Sequence, residues 1–186
     1  ECGGTAVVDE CGECNGDGST CQDTYYNVDI GWTGESQLII FQDSITGLEA
    51  GDEIGIFDDN AIIDDTGATG SLLVGPASED GSASAVWTGE QLNPVAIGSV
   101  NLSQFGGPIL PGYQEGNSVV IKVYRPSTGM EYETELTFSA GTGTFGDFFM
   151  AVSEVVLVGD EPYEPYYTVD IGWTGESQLI IFQDSI

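Results

Sequence analysis

Residues 118–138 read SVVIKVYRPSTGMEYETELTF, and this stretch sets the expectation for the fold of the chain. Two β-patterned runs, 118–125 and 130–138, flank the tetrapeptide Pro-Ser-Thr-Gly. Proline and glycine favour tight turns, because proline fixes φ and glycine tolerates a positive φ. We therefore predict two strands joined by a hairpin turn.

The same pattern continues on both sides of this hairpin. Short β-patterned runs alternate with Gly-, Pro-, Asn- and Asp-rich segments, and no window has a convincing helical period. About nine short strands with frequent turns are typical of an antiparallel β-sandwich or jelly roll, and we predict this all-β fold. The predicted strands lie near residues 28–33, 37–42, 53–57, 71–74, 84–88, 95–100, 118–125, 130–138 and 149–158.

An internal repeat is the second feature of the sequence. Residues 25–45 read YYNVDIGWTGESQLIIFQDSI, and residues 166–186 repeat them with one change, Asn27 against Thr168. Fold constraints fix the apolar pattern of a strand but leave its exposed positions free to drift. Identity at both kinds of position therefore indicates a recent tandem duplication, with an artefactual duplication as the alternative.

The repeat and its flanks divide the chain into four segments. Residues 1–24 form a Cys/Gly/Asp-rich module, and residues 25–158 form a β-domain. Residues 159–165 (GDEPYEP) are a linker with two prolines, and residues 166–186 are the first strands of a second copy. Because the chain does not begin with Met, we expect it to be part of a longer polypeptide.

Charge is the strongest signal in the composition. The chain has 31 Asp and Glu against two Lys and Arg and no His, which gives a net charge of −29. Such a surface repels nucleic acids and anionic membranes, which proteins bind through Lys and Arg contacts to phosphate. Carboxylates in this excess destabilise a compact state unless cations neutralise them, so we expect calcium (Ca2+) in the structure. A solubilising or salt-adapted acidic surface is the alternative.

The N-terminal module contains too few apolar residues to build a core, so cross-links or a metal must hold it together. We predict two structural disulfides. Four cysteines allow three pairings, of which we favour the sequential one, with a zinc site or a redox pair as alternatives. The four cysteines are Cys2, Cys11, Cys14 and Cys21.

Oxygen ligands alternate along the same module, among glycines that let backbone carbonyls join them, as a calcium loop requires. The predicted ligands are Asp9, Asn15, Asp17 and Ser19. Through the sequence DECGECNGDGSTC, the first 24 residues resemble the thrombospondin type-3-like Cys/Asp repeats of secreted bacterial and animal matrix proteins. The resemblance implies calcium binding outside the cell.

A second acidic cluster follows the sequence GDEIGIF of residues 51–57. Its candidate calcium ligands are Asp52, Asp58, Asp59, Asn60 and Asp64, with a solvated acidic loop as the alternative. The β-domain resembles a sandwich module found in tandem in large secreted surface proteins of Bacteroidetes-like bacteria. Residues 48–58, 85–87 and 116–124 carry this resemblance, which implies a location at the cell surface.

Three short signals point to glycosylation. Asn101 begins an Asn-Leu-Ser sequon, and Ser44 and Ser185 each lie in an Asp-Ser-Ile sequence that looks like an acceptor for bacterial O-glycans. With no His and a single Lys, most catalytic constellations are absent, so we predict no catalytic residue and no enzyme activity. A carboxylate pair for glycoside hydrolysis stays open as an alternative.

The repeated segment suggests a structural role. Its apolar side chains must pack somewhere, because two strands alone are at best marginally stable in water. Covalent continuation into a next repeat, or strand addition to a neighbouring chain, would both give an extended homopolymer. No run approaches the roughly 18 apolar residues of a membrane helix, so no membrane span is predicted. The residues predicted to form the assembly contact are Ile171, Trp173, Leu179 and Ile181.

A secreted carbohydrate-binding or adhesion module is the alternative function. Aromatic side chains that are exposed on strands can stack on sugar rings, although cross-strand or core packing is their more common use. The candidates for glycan contact are Trp32, Trp87, Tyr113 and Tyr124.

Overall fold

The computed structural model describes residues 24–79 and 83–159. Within these ranges the chain is all-β, as predicted, with nine strands, one 3-10 turn at Ser103–Phe105 and no α-helix. The strands are β1 Ser36–Phe41, β2 Glu53–Ile62, β3 Thr69–Gly75, β4 Val95–Ile97, β5 Val100–Asn101, β6 Ile109–Leu110, β7 Val120–Arg125, β8 Met130–Ala140 and β9 Met150–Val158.

Seven strands form one mixed sheet in the order β3-β2-β7-β8-β9-β1-β4, and β5 pairs with β6 beside it. Neighbours in the sheet are antiparallel except β1 and β9, which run parallel with Ile39 opposite Met150. The edge strands β3 and β4 approach each other, since the N–H of Ala77 donates to the carbonyl of Val95 at 2.9 Å. The sheet is therefore nearly closed into a barrel, and its parallel pair departs from the antiparallel arrangement that we predicted.

The predicted hairpin joins β7 to β8. Arg125 pairs with Met130, and the N–H of Gly129 donates to the carbonyl of Arg125 at 2.8 Å. Gly129 has a φ of 69°, which glycine adopts without the steric cost that a Cβ would bring. The turn chemistry of the sequence therefore sets this register directly.

Three of the predicted strands differ from the structure. Residues 28–33 form no strand, and residues 84–88 contribute only an isolated bridge between Val86 and Glu53. The predicted strand 95–100 is divided into β4 and β5 around Gly98, whose missing side chain leaves room for the ring of Tyr113.

The inner face of the nearly closed sheet forms the hydrophobic core. In β7 the buried residues alternate strictly with partly exposed ones, as a strand with one face on the core requires. Burying one large apolar side chain stabilises the fold by about 1.5–3 kcal/mol. The largest fully buried side chains are Phe41, Phe145, Ile39, Ile54, Ile56, Ile97, Ile121, Met150, Val74, Val123, Val152 and Val155.

The residues before β1 pack on the outside of the sheet, and we call residues 25–35 the strap. The ring of Tyr25 stacks on Tyr124 with centroids 3.9 Å apart. The ring of Tyr26 lies over Gly55, where a Cβ would approach it to 2.6 Å. Its hydroxyl donates to Glu131 at 3.1 Å. Gly55 thus leaves space for an aromatic ring, and we call the surface formed by Gly55, Phe57, Tyr124 and Glu131 the tyrosine seat.

From the tyrosine seat the strap crosses the seam between β3 and β4. Val28 and Ile30 line a small cavity together with Ala77 and Ile97, which lie just after β3 and at the end of β4. Further along, the hydroxyl of Thr33 donates to the carbonyl of Gly98 at 2.6 Å. The strap therefore covers the place where the barrel is least complete, and it leads the chain into β1.

Candidate functional site

The strand that the repeat duplicates, β1, lies between β9 and β4, and we call the space that it fills the β1 groove. Its backbone is bonded on both sides: the N–H of Phe41 donates to the carbonyl of Leu92 at 2.8 Å, and the N–H of Gln42 donates to that of Val152 at 3.1 Å. On the inner face, Ile39 and Phe41 are fully buried. The first copy of the repeat is thus an integral part of the core.

Gln37 precedes these two residues on the same inner face and is also buried. Its Oε1 accepts the N–H of Gly146 at 2.7 Å. Its Nε2 has no hydrogen-bond partner among the described residues. An unsatisfied buried donor costs about 1–3 kcal/mol, so Gln37 is a weak point in an otherwise apolar strand.

The residues predicted to form the assembly contact lie outside the described residues. The positions that match them in the first copy are Ile30, Trp32, Leu38 and Ile40. Trp32 and Leu38 are each 38% exposed, and the other two are partly buried. In the first copy the residues of β1 that enter the core are instead Gln37, Ile39 and Phe41. Their equivalents in the second copy are Gln178, Ile180 and Phe182.

Asp52, one of the predicted calcium ligands, is paired with an arginine. Its Oδ1 accepts the Nε–H of Arg125 at 3.0 Å, and its Oδ2 accepts an Nη2–H of the same guanidinium at 2.9 Å. The guanidinium also donates to the carbonyl of Gly47 at 2.9 Å. Both side chains are buried, so protein donors already occupy this carboxylate.

Asp58 is equally buried but is held in a different way. Its carboxylate accepts the backbone N–H groups of Asn60 at 2.8 Å and Gln114 at 2.9 Å. The side-chain amide of Asn117 donates to both of its oxygens, at 3.0 and 2.9 Å. These donors are neutral, and they join the inner face of β2 to the loop that precedes β7.

The other ligands predicted in this cluster each have protein hydrogen-bond partners of their own. Asp59 accepts the hydroxyl of Ser71 at 2.8 Å, and Asp64 accepts the hydroxyl of Thr66 at 2.6 Å. That hydroxyl and nearby backbone N–H groups lower the pKa of Asp64. The backbone carbonyl of Asn60 accepts the amide of Asn117 at 3.1 Å. In the part of the chain that the structure describes, no three acidic, His or Cys side chains form a group that could hold a metal.

A polar cavity of about 460 Å³ opens where β4 gives way to β5. Glu35, Tyr113 and Glu115 line it together with Gln114 and residues 98–101. The pKa of Tyr113 is raised, first by burial and then by the charges of Glu35 and Glu115. Its phenol therefore stays neutral beside two carboxylates, and the cavity can take a small polar ligand.

Two of the four aromatic residues predicted to contact glycans are in the core. Trp87 and Tyr113 are buried, and the ring of Tyr113 stacks on Phe145 with centroids 4.3 Å apart. Their ring faces are thus unavailable to a sugar, and the expectation that these two are exposed was wrong. Trp32 is exposed, while Tyr124 is partly covered by Tyr25.

Sequence reasoning missed the most exposed aromatic residues. Phe148 is 99% exposed and contacts Phe149 edge to face in the loop between β8 and β9. Phe105 is also exposed, at the end of the 3-10 turn. Both lie in turns rich in glycine, and no strand pattern draws attention to them.

Two of the three predicted glycosylation positions are within the described ranges. Ser44 and Asn101 are both exposed. The Oδ1 of Asn101 accepts the N–H of Ser103 at 2.9 Å, which leaves its amide nitrogen directed away from this bond. Glycosylation at these positions stays a prediction, and Ser185 lies outside the described residues.

The predicted disulfides and the calcium loop of the N-terminal module lie outside the described residues as well. This applies to Cys2, Cys11, Cys14 and Cys21 and to Asp9, Asn15, Asp17 and Ser19. Among the residues that are described, no helix is long and apolar enough to cross a membrane. No protein-family model, curated protein or solved structure matches this chain.

Proposed function

We propose that the chain is a structural subunit of an extracellular fibre or surface array, built from repeated β-domains that contact one another head to tail. The observation that carries this proposal is the near-identity of residues 166–186 with residues 25–45. The first copy supplies the strap and β1, which are parts of a domain and have no stability of their own.

A second copy of these parts can extend an assembly where it meets a second β-domain. It either opens a further domain of the same chain or enters a domain of a neighbouring chain, and both arrangements extend in one direction. At the finer level we propose that the β-domain is a sandwich of jelly-roll type. Its sheet curves until opposite parts of the inner face pack against each other, as the two layers of a sandwich do.

Charge supports a location outside the cell and a role for calcium. Both basic residues of the chain are engaged within the domain, since Arg125 is buried with Asp52 and Lys122 forms an ion pair with Glu133 at 2.7 Å. The remaining carboxylates repel one another, and neighbouring subunits would repel as well. We propose that calcium, held by the N-terminal module, reduces this repulsion at the joints between domains.

Deleting residues 166–186 tests the assembly. Sedimentation velocity at high protein concentration with calcium should show large species for the intact chain and a monomer for the shortened one. A matched control replaces residues 166–186 with a scrambled sequence of the same composition, and it should also stay monomeric. Polymerisation of the shortened chain, or a strictly monomeric intact chain, would contradict assembly through entry of this segment into a neighbouring chain.

Removing calcium tests the role of the ion. An ion that binds only the folded state stabilises it by mass action, by about 2.7 kcal/mol at 100 times the dissociation constant. Excess chelator should therefore lower the melting temperature, and added calcium should restore it. Magnesium at the same concentration is the control for simple screening. An unchanged melting curve in chelator would refute the calcium proposal.

A carbohydrate-binding or adhesion module is the second candidate. The polar cavity and the exposed rings of Phe148 and Phe105 favour it, because sugars are bound by polar groups together with aromatic faces. Screening against a glycan array separates the two functions. Saturable binding to one glycan would favour this candidate over a purely structural role if one of the substitutions Phe148→Ala and Phe105→Ala abolishes the binding and the other leaves it intact.

A further inference from the structure

Residues 25–45 occupy one continuous site on the barrel, formed by the tyrosine seat, the seam between β3 and β4, and the β1 groove. Three of its contacts are specific to the side chains that enter. The ring of Tyr26 needs the space left by Gly55, and Phe41 fills a fully buried position. Ile45 is buried at the end of the segment.

The second copy carries the same side chain at each of these positions. The one substitution in it is at the position of Asn27, which is exposed. We propose that residues 166–186 are an alternative occupant of this site, and that they exchange with residues 25–45 of the same chain. The equivalent side chains are Tyr166, Tyr167, Gln178, Ile180, Phe182 and Ile186.

The end of β9 is close enough to the tyrosine seat for this exchange. Val158 pairs with Glu133, Glu133 with Lys122, and Lys122 with Gly55, so the last residue of β9 and the seat lie in one row of the sheet. Three steps between strands measure about 14 Å. The residues between Val158 and Tyr167 can span about 26 Å when extended. The second copy can therefore start where the first one starts.

The two occupants are also balanced in free energy. They would make the same contacts, and the loops that tether them, residues 46–52 and 159–165, have equal lengths, so loop closure costs nearly the same. A neighbouring chain is a poorer source of the segment. Exchange between chains loses translational freedom, whereas the second copy of the same chain is already tethered next to the site.

A double-mutant cycle on the full chain tests the exchange. The variants are Phe41→Ala, Phe182→Ala and the two combined, each followed by thermal unfolding. If the copies exchange, each single substitution should lower the melting temperature by only a few degrees, because the intact copy takes the site. The double variant should lose about 10–20 °C, as the site then receives a truncated side chain from either copy.

A fixed occupant predicts a different result. Phe41→Ala alone would then cause the whole loss, Phe182→Ala would have no effect, and the double variant would match Phe41→Ala; this outcome would overturn the proposal. The control pair is Leu38→Ala and Leu179→Ala. Leu38 is on the outer face, so these substitutions should have small effects singly and together.

Hydrogen exchange supplies a second readout that does not depend on large losses of stability. In Phe41→Ala, the backbone amides of residues 177–182 should exchange more slowly than in the unmodified chain, and those of residues 36–41 should exchange faster. No change in the amides of residues 177–182 would overturn the proposal. Protection that rises with protein concentration, together with dimers in sedimentation, would assign the second occupant to a neighbouring chain and would overturn exchange within one chain.

The exchange does not rest on the proposed array. A chain that never polymerises can show it, and a chain that polymerises by another surface can lack it. Where both hold, the exchange determines which copy is released from the barrel and can contact a neighbour.

Discussion

Asp52 and Asp58 are two buried carboxylates near the same strand, β2, and the protein compensates their charges in opposite ways. Each is 1% exposed. Asp52 is paired with a guanidinium that donates to both of its oxygens. Asp58 receives neutral donors instead, two backbone N–H groups and the amide of Asn117. Asp52 also accepts the backbone N–H of Glu49 at 2.8 Å, so the two sites remove a charge from water with a full charge and one dipole in one case and with dipoles alone in the other.

The difference shows how a chain with two basic residues builds a core. A buried carboxylate needs hydrogen-bond donors, and a cation is only one way to supply them. The arginine is used where it also ties the loop at Gly47 to the barrel end. The amides are used where the loop that precedes β7 lies against β2. An acidic protein can therefore keep carboxylates in its interior without matching each of them with a base.

The largest effect is expected from Arg125→Leu, which leaves Asp52 buried without its counter-charge. Breaking a buried ion pair from one side costs about 3–5 kcal/mol. Urea unfolding should show this loss as a lower midpoint with an unchanged slope. The control combines Arg125→Leu with Asp52→Leu, which should recover much of the stability because no isolated charge is left. A loss below about 1 kcal/mol for the single variant would show that the ion pair is not what holds this site.

Asp58→Asn tests the carboxylate that is held by neutral donors, and it should cost less stability than Arg125→Leu. The substitution keeps the shape, but it removes a charge that strengthens several hydrogen bonds and turns one acceptor into a donor facing other donors. A hydrogen bond to a charged group contributes about 1.5–3 kcal/mol, so we expect a loss of about 2–3 kcal/mol in urea unfolding. Asn117→Ala is the matched variant that removes donors only. If Asp58→Asn costs more than Arg125→Leu, the ranking of the two sites is reversed.

Tyr26 extends the comparison to a group kept neutral in the folded state. Burial, followed by the charge of Glu131, raises its pKa well above the ordinary value of about 10. Its contribution to stability is therefore complete below pH 10 and is lost as the pH rises from 10 toward the folded pKa. Between pH 10 and 11 the loss amounts to about 1 kcal/mol, because the unfolded phenol is already half ionised at pH 10. Tyr26→Phe should make the free energy of unfolding less dependent on pH in this range, and an identical slope in both proteins would contradict the assignment.

The smallest effect is expected for Lys122→Gln. Lys122 contacts Glu131 and Glu133 on the outer face, where water screens the interaction. Pairs of this kind contribute about 0–1 kcal/mol, and salt weakens them. Unfolding at low and high salt should show a difference between the variant and the unmodified chain only at low salt. A loss as large as that of Arg125→Leu would remove the distinction between buried and exposed charge pairs in this protein.

The order of apolar, polar and turn residues along the sequence was enough to predict the β7–β8 hairpin and the all-β class. The β7–β8 hairpin follows from the turn sequence between two alternating runs, and the all-β class follows from many such runs. The parallel pairing of β1 with β9 could not be predicted in this way. Alternation shows which face of a strand is buried, but it does not identify the neighbour, and these two strands come from opposite ends of the domain.

The candidate site shows the same limit. Asp52 and Asp58 were predicted as calcium ligands because they lie in an acidic cluster, whereas their positions in the strand patterns pointed inward. Asp58 shares the inner face of β2 with Ile54 and Ile56, and Arg125 continues the inner face of β7. The alternation of inward and outward positions along the strand was the signal that could have identified both aspartates as buried. The partners could not be found, since Arg125 and Asp52 are 73 residues apart in the sequence.

The strap gives the domain a defined response to mechanical tension. Its first residues lie at the end of the barrel where β9 stops, while β1 begins at the opposite end, beside the start of β9. Tension between residue 25 and residue 158 would first peel the strap from the tyrosine seat and release about 35 Å of chain. It would then pull β1 and β9 in opposite directions, so that the evenly spaced hydrogen bonds of the parallel pair bear the load together. Force spectroscopy on the single domain should accordingly record a weak early extension as the strap detaches, followed by one stronger rupture when β1 and β9 separate.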